Sequence, residues 1–273
     1  VGSEMCIRDR GKGEIEFRDV SFTYPGAGKP ALSHVSFRLH PGEKTAVVGM
    51  NGSGKTTLVK LLCRLYDPSE GSILLNGTDI REYEYEEYMR LFSVVFQDFK
   101  LLAQPLGENV AAAQEYQQER VWECLKKAGF AARLERMKKG LATSLYRDLD
   151  EEGVEVSGGE AQKIALARAL YKDAPIVVLD EPTAALDPIS EHEIYSGFHR
   201  LIGDKTAVFI SHRLSSCRFC DYILVFHEGE LVQRGNHEEL LKEDKGKYAV
   251  MWQAQARYYE EDGADRSAAN GGA

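Results

Sequence analysis

Apolar positions along this chain change period several times, and each change predicts an element. Residues 14–17, 20–22 and 31–39 alternate apolar and polar side chains in short runs broken by Pro25-Gly26, which predicts a small antiparallel sheet. Thr45-Ala46-Val47-Val48 is a continuous apolar run suited to a buried strand, and Leu58, Leu61, Leu62 and Leu65 then recur at helical spacing. Residues 72–75 lead into Asn76-Gly77, a strong hairpin signal. Residues 93–96 form another buried run that ends at Gln97. From Gly107 to Gly140 strand signals give way to helical spacing, with Val121, Leu125 and Ala128 on one face. A helix is expected from Ser157 to about Tyr171, and compact strands at 176–179, 206–210 and 222–226. Asp187-Pro188, an N-cap followed by proline at the first helical position, starts a helix carrying Ile194, Phe198 and Leu201 on one face. Strands separated by helices predict an α/β fold, with a helical insertion between Gln97 and Ile176.

Composition narrows the class. The 273 residues are 43% hydrophobic and 28% charged, ordinary for a globular chain of one large domain or two lobes. A formal net charge of −9 argues against a nucleic-acid surface, and no apolar run approaches the ~18–20 residues of a membrane span. Five scattered cysteines suit a reducing compartment. Cys217 and Cys220 form a CxxC without a second ligand pair, so they are expected to pack as small apolar residues. Residues 1–10 show no periodicity and resemble translated sequencing-adapter sequence; residues 1–12 are set aside as a non-native or linker lead. Residues 254–273 are expected to be a largely disordered tail, patternless and Gly/Ala/Asp-rich from residue 260.

Candidate chemistry concentrates in two segments. Gly49-Met50-Asn51-Gly52-Ser53-Gly54-Lys55-Thr56-Thr57 lies between a strand and a helix, the context that gives a glycine-rich phosphate loop its meaning. Its glycines let backbone N–H groups close on a polyphosphate, Lys55 meets the β/γ oxygens, and the Thr56 hydroxyl reaches Mg²⁺. The run 176–179 delivers Asp180 and Glu181 at a strand's carboxyl end, where open α/β sheets bind ligands. Asp180 suits Mg²⁺, and Glu181 can polarise a water for attack on the γ-phosphate. Ser157-Gly158-Gly159 opens a second helix end able to receive an anion.

Taken together, and in this order, the motifs resemble the nucleotide-binding domain of ATP-binding cassette (ABC) transporters over about residues 13–253. The resemblance implies a P-loop NTPase, RecA-like core with an antiparallel β subdomain and a helical subdomain at about 100–172. It implies ATP and Mg²⁺ as ligands, with Gln97 sensing metal and water, His212 as the switch histidine, and Tyr24 stacking on adenine. Ser157, Gly158, Gly159 and Asp187 would meet the nucleotide of an opposing subunit, so a head-to-tail homo- or heterodimer is implied. Among the catalytic positions are Glu181, His212, Gln97 and Lys55; Thr56, Gln97 and Asp180 would hold the metal. One departure stands out: the signature motif usually ends in Gln, and here the residue is Glu160, expected to face along the helix away from phosphate.

The flanks are similar to exporter-type cassettes. The entry from Gly13 to Pro25, the position of Gly153, and the ending 235–241 with Tyr248 and Trp252 carry that likeness. It implies an export ATPase at the cytoplasmic face of the membrane, a half-transporter truncated before residue 11 with its transmembrane domain fused upstream. A separately encoded ATPase subunit, or a soluble non-transport ABC ATPase, is the alternative. A kinase or GTPase built on the same loop would leave the Ser157-Gly158-Gly159 helix and His212 unexplained.

Overall fold

Strand β1 (Ile15–Phe22) buries Ile15, Phe17, Val20 and Phe22, a spacing that pure alternation cannot produce. The pairing with β2 (Leu32–Leu39) slips between Phe17 and Val20, where Asp19 takes φ 49°. The two short runs expected at 14–17 and 20–22 are therefore one strand with a bulge, which restores the apolar residues to the inner face. In this computed structural model, which describes residues 13–182 and 202–257, the chain divides into two units. Residues 1–82 and 209–273 form one, and 83–208 the other.

The first unit contains an antiparallel sheet in the order β2-β1-β4-β5, with β4 at Glu70–Leu75 and β5 at Thr78–Asp79. Asn76 and Gly77 join β4 to β5 with φ 50° and 81°, the paired positive angles of a type I′ hairpin turn. Strand β3 (Lys44–Gly49) pairs in parallel with β9 (Tyr222–His227), which pairs antiparallel with β10 (Glu230–Gly235). Periodicity had given no strand at β10. Its burial is mostly partial and it pairs with β9 alone, so it lacks the continuous apolar run of a central strand. Ala46, Val48, Ile223 and Val225 pack with Leu214, Cys217, Leu240 and Tyr248 in one buried cluster. Cys217 thus serves as a small core residue, and burial pushes its thiol up to about 12. Helix α1 (Lys55–Leu62) follows β3 directly.

In the second unit α2 (Tyr85–Met89) precedes β6 (Phe92–Val95), which pairs in parallel with β7 (Ile176–Asp180), and every residue of β7 is buried. Between them in sequence come α3 (Leu106–Ala111), α4 (Gln118–Lys127), α5 (Ala131–Leu134) and α6 (Gly158–Lys172). Strand β8 (Thr206–Ile210) is fully buried, and the division between the units falls within it. The mixed parallel and antiparallel strands with intervening helices make an α/β fold, as the periodicity predicts. Among the described residues no helix is long and apolar enough to cross a membrane.

The lead before residue 13, the helix expected from Asp187, and the tail beyond 257 lie outside the described residues. Helix 247–257 continues past the domain limit expected at 253.

A polar strut ties the segment after Gln97 to helix α6. Asn109 is 2% exposed; its Nδ2 donates to Leu102 O at 2.9 Å and Gln104 O at 3.1 Å, while its Oδ1 accepts from Leu102 N at 2.9 Å. Arg168 donates through Nε to Asn109 O at 2.8 Å and through an Nη to Lys100 O at 3.3 Å. Asn109→Ala would remove the acceptor of Leu102 N, while Leu102 O and Gln104 O keep their bonds from Gln104 N and Leu145 N. Chemical denaturation should show a loss of roughly 1–3 kcal/mol, the cost of one orphaned polar group. A loss below about 0.5 kcal/mol would mean that water replaces the amide.

Candidate functional site

In the first unit the phosphate loop is built around two glycine positions. Gly54, the N-cap of α1, has φ 100°, and a Cβ there would lie 2.5 Å from Leu32 Cδ2 and 2.7 Å from Ala31 O. Gly49, at φ 153°, would bring a Cβ to 2.3 Å from Phe226 O. Only glycine lets the loop pack this closely on β2 and β9. Because the N-cap is glycine, no side chain caps α1, and no acidic residue occupies its first turn. Its leading N–H groups and positive dipole end therefore await an acceptor from outside the helix.

Lys55 is buried at 5% exposure, its ammonium folded onto the loop and donating to Gly49 O and Met50 O, both at 2.9 Å. Ser53, 3% exposed, has a hydroxyl with no hydrogen-bond partner. An uncapped helix start, a buried ammonium and an orphaned hydroxyl fit a polyphosphate, which would supply acceptors to all three. Thr56 is half-buried beside them, and Asn51 and Gly52 are exposed at the loop's tip. The Tyr24 hydroxyl lies 3.1 Å from Thr57 Oγ1. Its ring is edge-packed on Phe22 and Tyr66, with centroids 4.9 and 5.4 Å away, so the aromatic is fixed beside α1. His212 follows β8 by two residues, and its carbonyl accepts from Gln255 Nε2 of helix 247–257. That bond ties the His212 segment to helix 247–257, a link no motif announced.

In the second unit the register of β6 and β7 does the positioning. Val95 pairs with Leu179, so Gln97 and Glu181 each stand two residues beyond the same rung. Gln97 Nε2 donates to Glu181 Oε2 at 3.1 Å. Asp180 is 1% exposed at the end of β7, a buried carboxylate of the kind a divalent cation compensates. Glu181 adopts φ 52°, left-handed backbone that turns its side chain out of the strand's alternation. Gln162, buried on α6, donates to the Glu181 carbonyl at 3.3 Å and holds that turn. Gln162 belongs to no expected site; its only sequence signal is the spacing from Ser157 along the helix.

Ser157 caps α6 through a reciprocal pair. Its hydroxyl accepts from Glu160 N at 3.2 Å, and Glu160 Oε2 accepts from Ser157 N at 2.8 Å. Glu160 also meets Arg133 Nε of α5 at 3.1 Å through Oε1. The carboxylate expected to face along the helix instead turns back onto the helix start, because Ser-x-x-Glu is a capping box. Ser157 and Gly158 are exposed and Gly159 is half-buried, leaving the turn open to an incoming ligand. Asp187 lies outside the described residues.

Comparison with known proteins adds lineage to this geometry. The family model described as ABC transporter matches residues 32–184. An ATP-dependent lipid A-core flippase of Vibrio cholerae is 42% identical over 257 residues, covering 91% of this chain and 43% of its own length. The subtilin transport ATP-binding protein SpaT of Bacillus subtilis is 43% identical over 233 residues, covering 84% of this chain and 38% of its own. A solved structure of a bacterial Atm1-family ABC exporter with ATP bound superposes with a TM-score of 0.83 at 35% identity, covering 90% of this chain and 42% of that one. The chain therefore spans less than half the length of each of these three relatives.

Proposed function

Because the chain belongs to the ABC transporter family, we propose that it binds and hydrolyses ATP and couples that cycle to export through a membrane-spanning partner domain. The observation that carries the reading is the uncapped start of α1, with the buried Lys55 ammonium folded onto its loop. A triphosphate is the ligand whose charge and oxygen count answer those donors. Tyr24 would stack on the base, and Gly49 through Thr57 would line the phosphates. Thr56, Gln97 and Asp180 supply the hydroxyl, amide and carboxylate oxygens that would hold Mg²⁺, which when bound neutralises charge on the β/γ oxygens.

The chemistry assigned to this chain's residues is acid–base and positional. Glu181 accepts a proton from the attacking water as the water oxygen bonds to the γ-phosphorus and the bridging oxygen leaves with ADP. Gln97, already bonded to that carboxylate, orients it. His212 donates to the γ-phosphate oxygens, steadying charge that grows in the transition state. The two relatives are named for different cargo, lipid A-core in one and subtilin in the other, so the shared step is the part carried over.

Ser157, Gly158 and Gly159 act in trans, on the triphosphate held by a second cassette. ATP then favours the paired state through contacts that exist only there, and hydrolysis removes them. The site would lie at the cytoplasmic face of the membrane. Sedimentation of the chain in non-hydrolysing Mg-ATP should give twice the nucleotide-free mass, reversed by nucleotide removal. A species that stays single at high concentration while hydrolysing ATP at full rate would overturn the paired mechanism.

A further inference from the structure

The signature turn of this chain ends in an acid where the family places an amide. Glu160 performs the capping function that either residue can perform, bonding Ser157 N at 2.8 Å. A carboxylate at that point also has an electrostatic consequence. It lies on the positive end of the α6 dipole, the end expected to meet a triphosphate, and reduces the attraction there. Arg133 is the group that offsets it. Its Nε forms an ion pair with Glu160 Oε1 at 3.1 Å without hydrogen-bond alignment, and one Nη donates to Glu155 O at 3.4 Å. One guanidinium thus bridges the residue two before Ser157 and the residue three after it. Its backbone is anchored, because α5 is preceded by Phe130 at 1% exposure and ends in Leu134 at 2%.

We propose that Arg133 is a positioning residue for the serine-glycine turn, holding the Glu160 carboxylate against the helix start and cancelling its charge. The turn then meets a triphosphate as an electropositive surface, as it would with glutamine. This rests on the ATPase reading above. Nothing in the motif points to Arg133, which lies 24 positions before Ser157 in the sequence.

Four proteins test it: the native chain, R133M, E160Q and R133M/E160Q. Methionine keeps an apolar stem and removes the charge. In the Glu160 background R133M should raise the KM for Mg-ATP about three- to tenfold with saturated kcat within about twofold, the scale of one unbalanced charge near a polyanion. R133M/E160Q, with neither charge, should lie within about twofold of the native KM, and the R133M defect should shrink as salt is raised. E160Q alone should lower KM, because Arg133 is then an unbalanced cation. A double variant as impaired as R133M would assign Arg133 a purely structural role, and a native KM in R133M would remove it from the site; both overturn the proposal while leaving the ATPase reading intact. If R133M does not fold, R133K and E160Q carry the test. R133K retains charge and should then stay near native KM, and a tenfold rise would overturn the charge argument. Absence of ATP turnover in all of these proteins, native chain included, defeats the ATPase reading and this one with it.

Discussion

Glu181→Gln should lower kcat for ATP about 10²–10⁴-fold, the range of a lost general base, while ATP affinity stays within about threefold. The substitution is nearly isosteric. Its amide oxygen can still accept from Gln97 Nε2, as Oε2 does at 3.1 Å, and Gln162 still holds the backbone carbonyl. The positive φ of 52° costs both side chains alike, so backbone strain cancels from the comparison. What disappears is the ability to take a proton from water. Nucleotide contacts remain, so the variant should accumulate as ATP-bound pairs. Turnover at the native rate would remove Glu181 from the base role; loss of binding as well would mean that the carboxylate organises the site instead.

Lys55→Ala should produce the opposite pattern, with ATP binding weakened at least about 100-fold, or ~2.7 kcal/mol. The ammonium is the one buried cation of the loop, and its bonds to Gly49 O and Met50 O preset its position at the helix start. A charge-assisted bond to phosphate contributes roughly 1.5–3 kcal/mol, and alanine supplies none of it. Folding stability should fall by about 1–3 kcal/mol from the two lost carbonyl contacts, readable by denaturant titration. Titration with a fluorescent ATP analogue separates the variants: Lys55→Ala fails to bind, and Glu181→Gln binds without turnover. Native-like affinity in Lys55→Ala would displace the triphosphate from this loop.

How far the sequence carried the reading differs between elements. The phosphate loop was legible because its glycines, lysine and threonines act within nine consecutive residues, between a strand and a helix that periodicity places. The Asn76-Gly77 hairpin was legible for the same local reason. The bulge in β1 was not. Residues 14–17 and 20–22 read as separate strands because a slip in register is a property of the pairing with β2, absent from either segment alone. Strand β10 went unread because an edge strand with little full burial lacks the apolar run that signals a central one.

Residue types fix local conformation and intrinsic chemistry, and those are encoded in neighbours a few positions apart. Local spacing therefore carries the α/β class, the phosphate-loop helix start, the acids at the end of β7 and the serine cap of α6. Contacts between distant segments obey no such short spacing. It takes the folded chain to bring Gln97 to Glu181 through the β6–β7 register, to set Gln162 and Asn109 on the turns around them, and to pair Arg133 with Glu160. Each of these is set by which surfaces pack to exclude water, a global minimum that no short window of sequence contains.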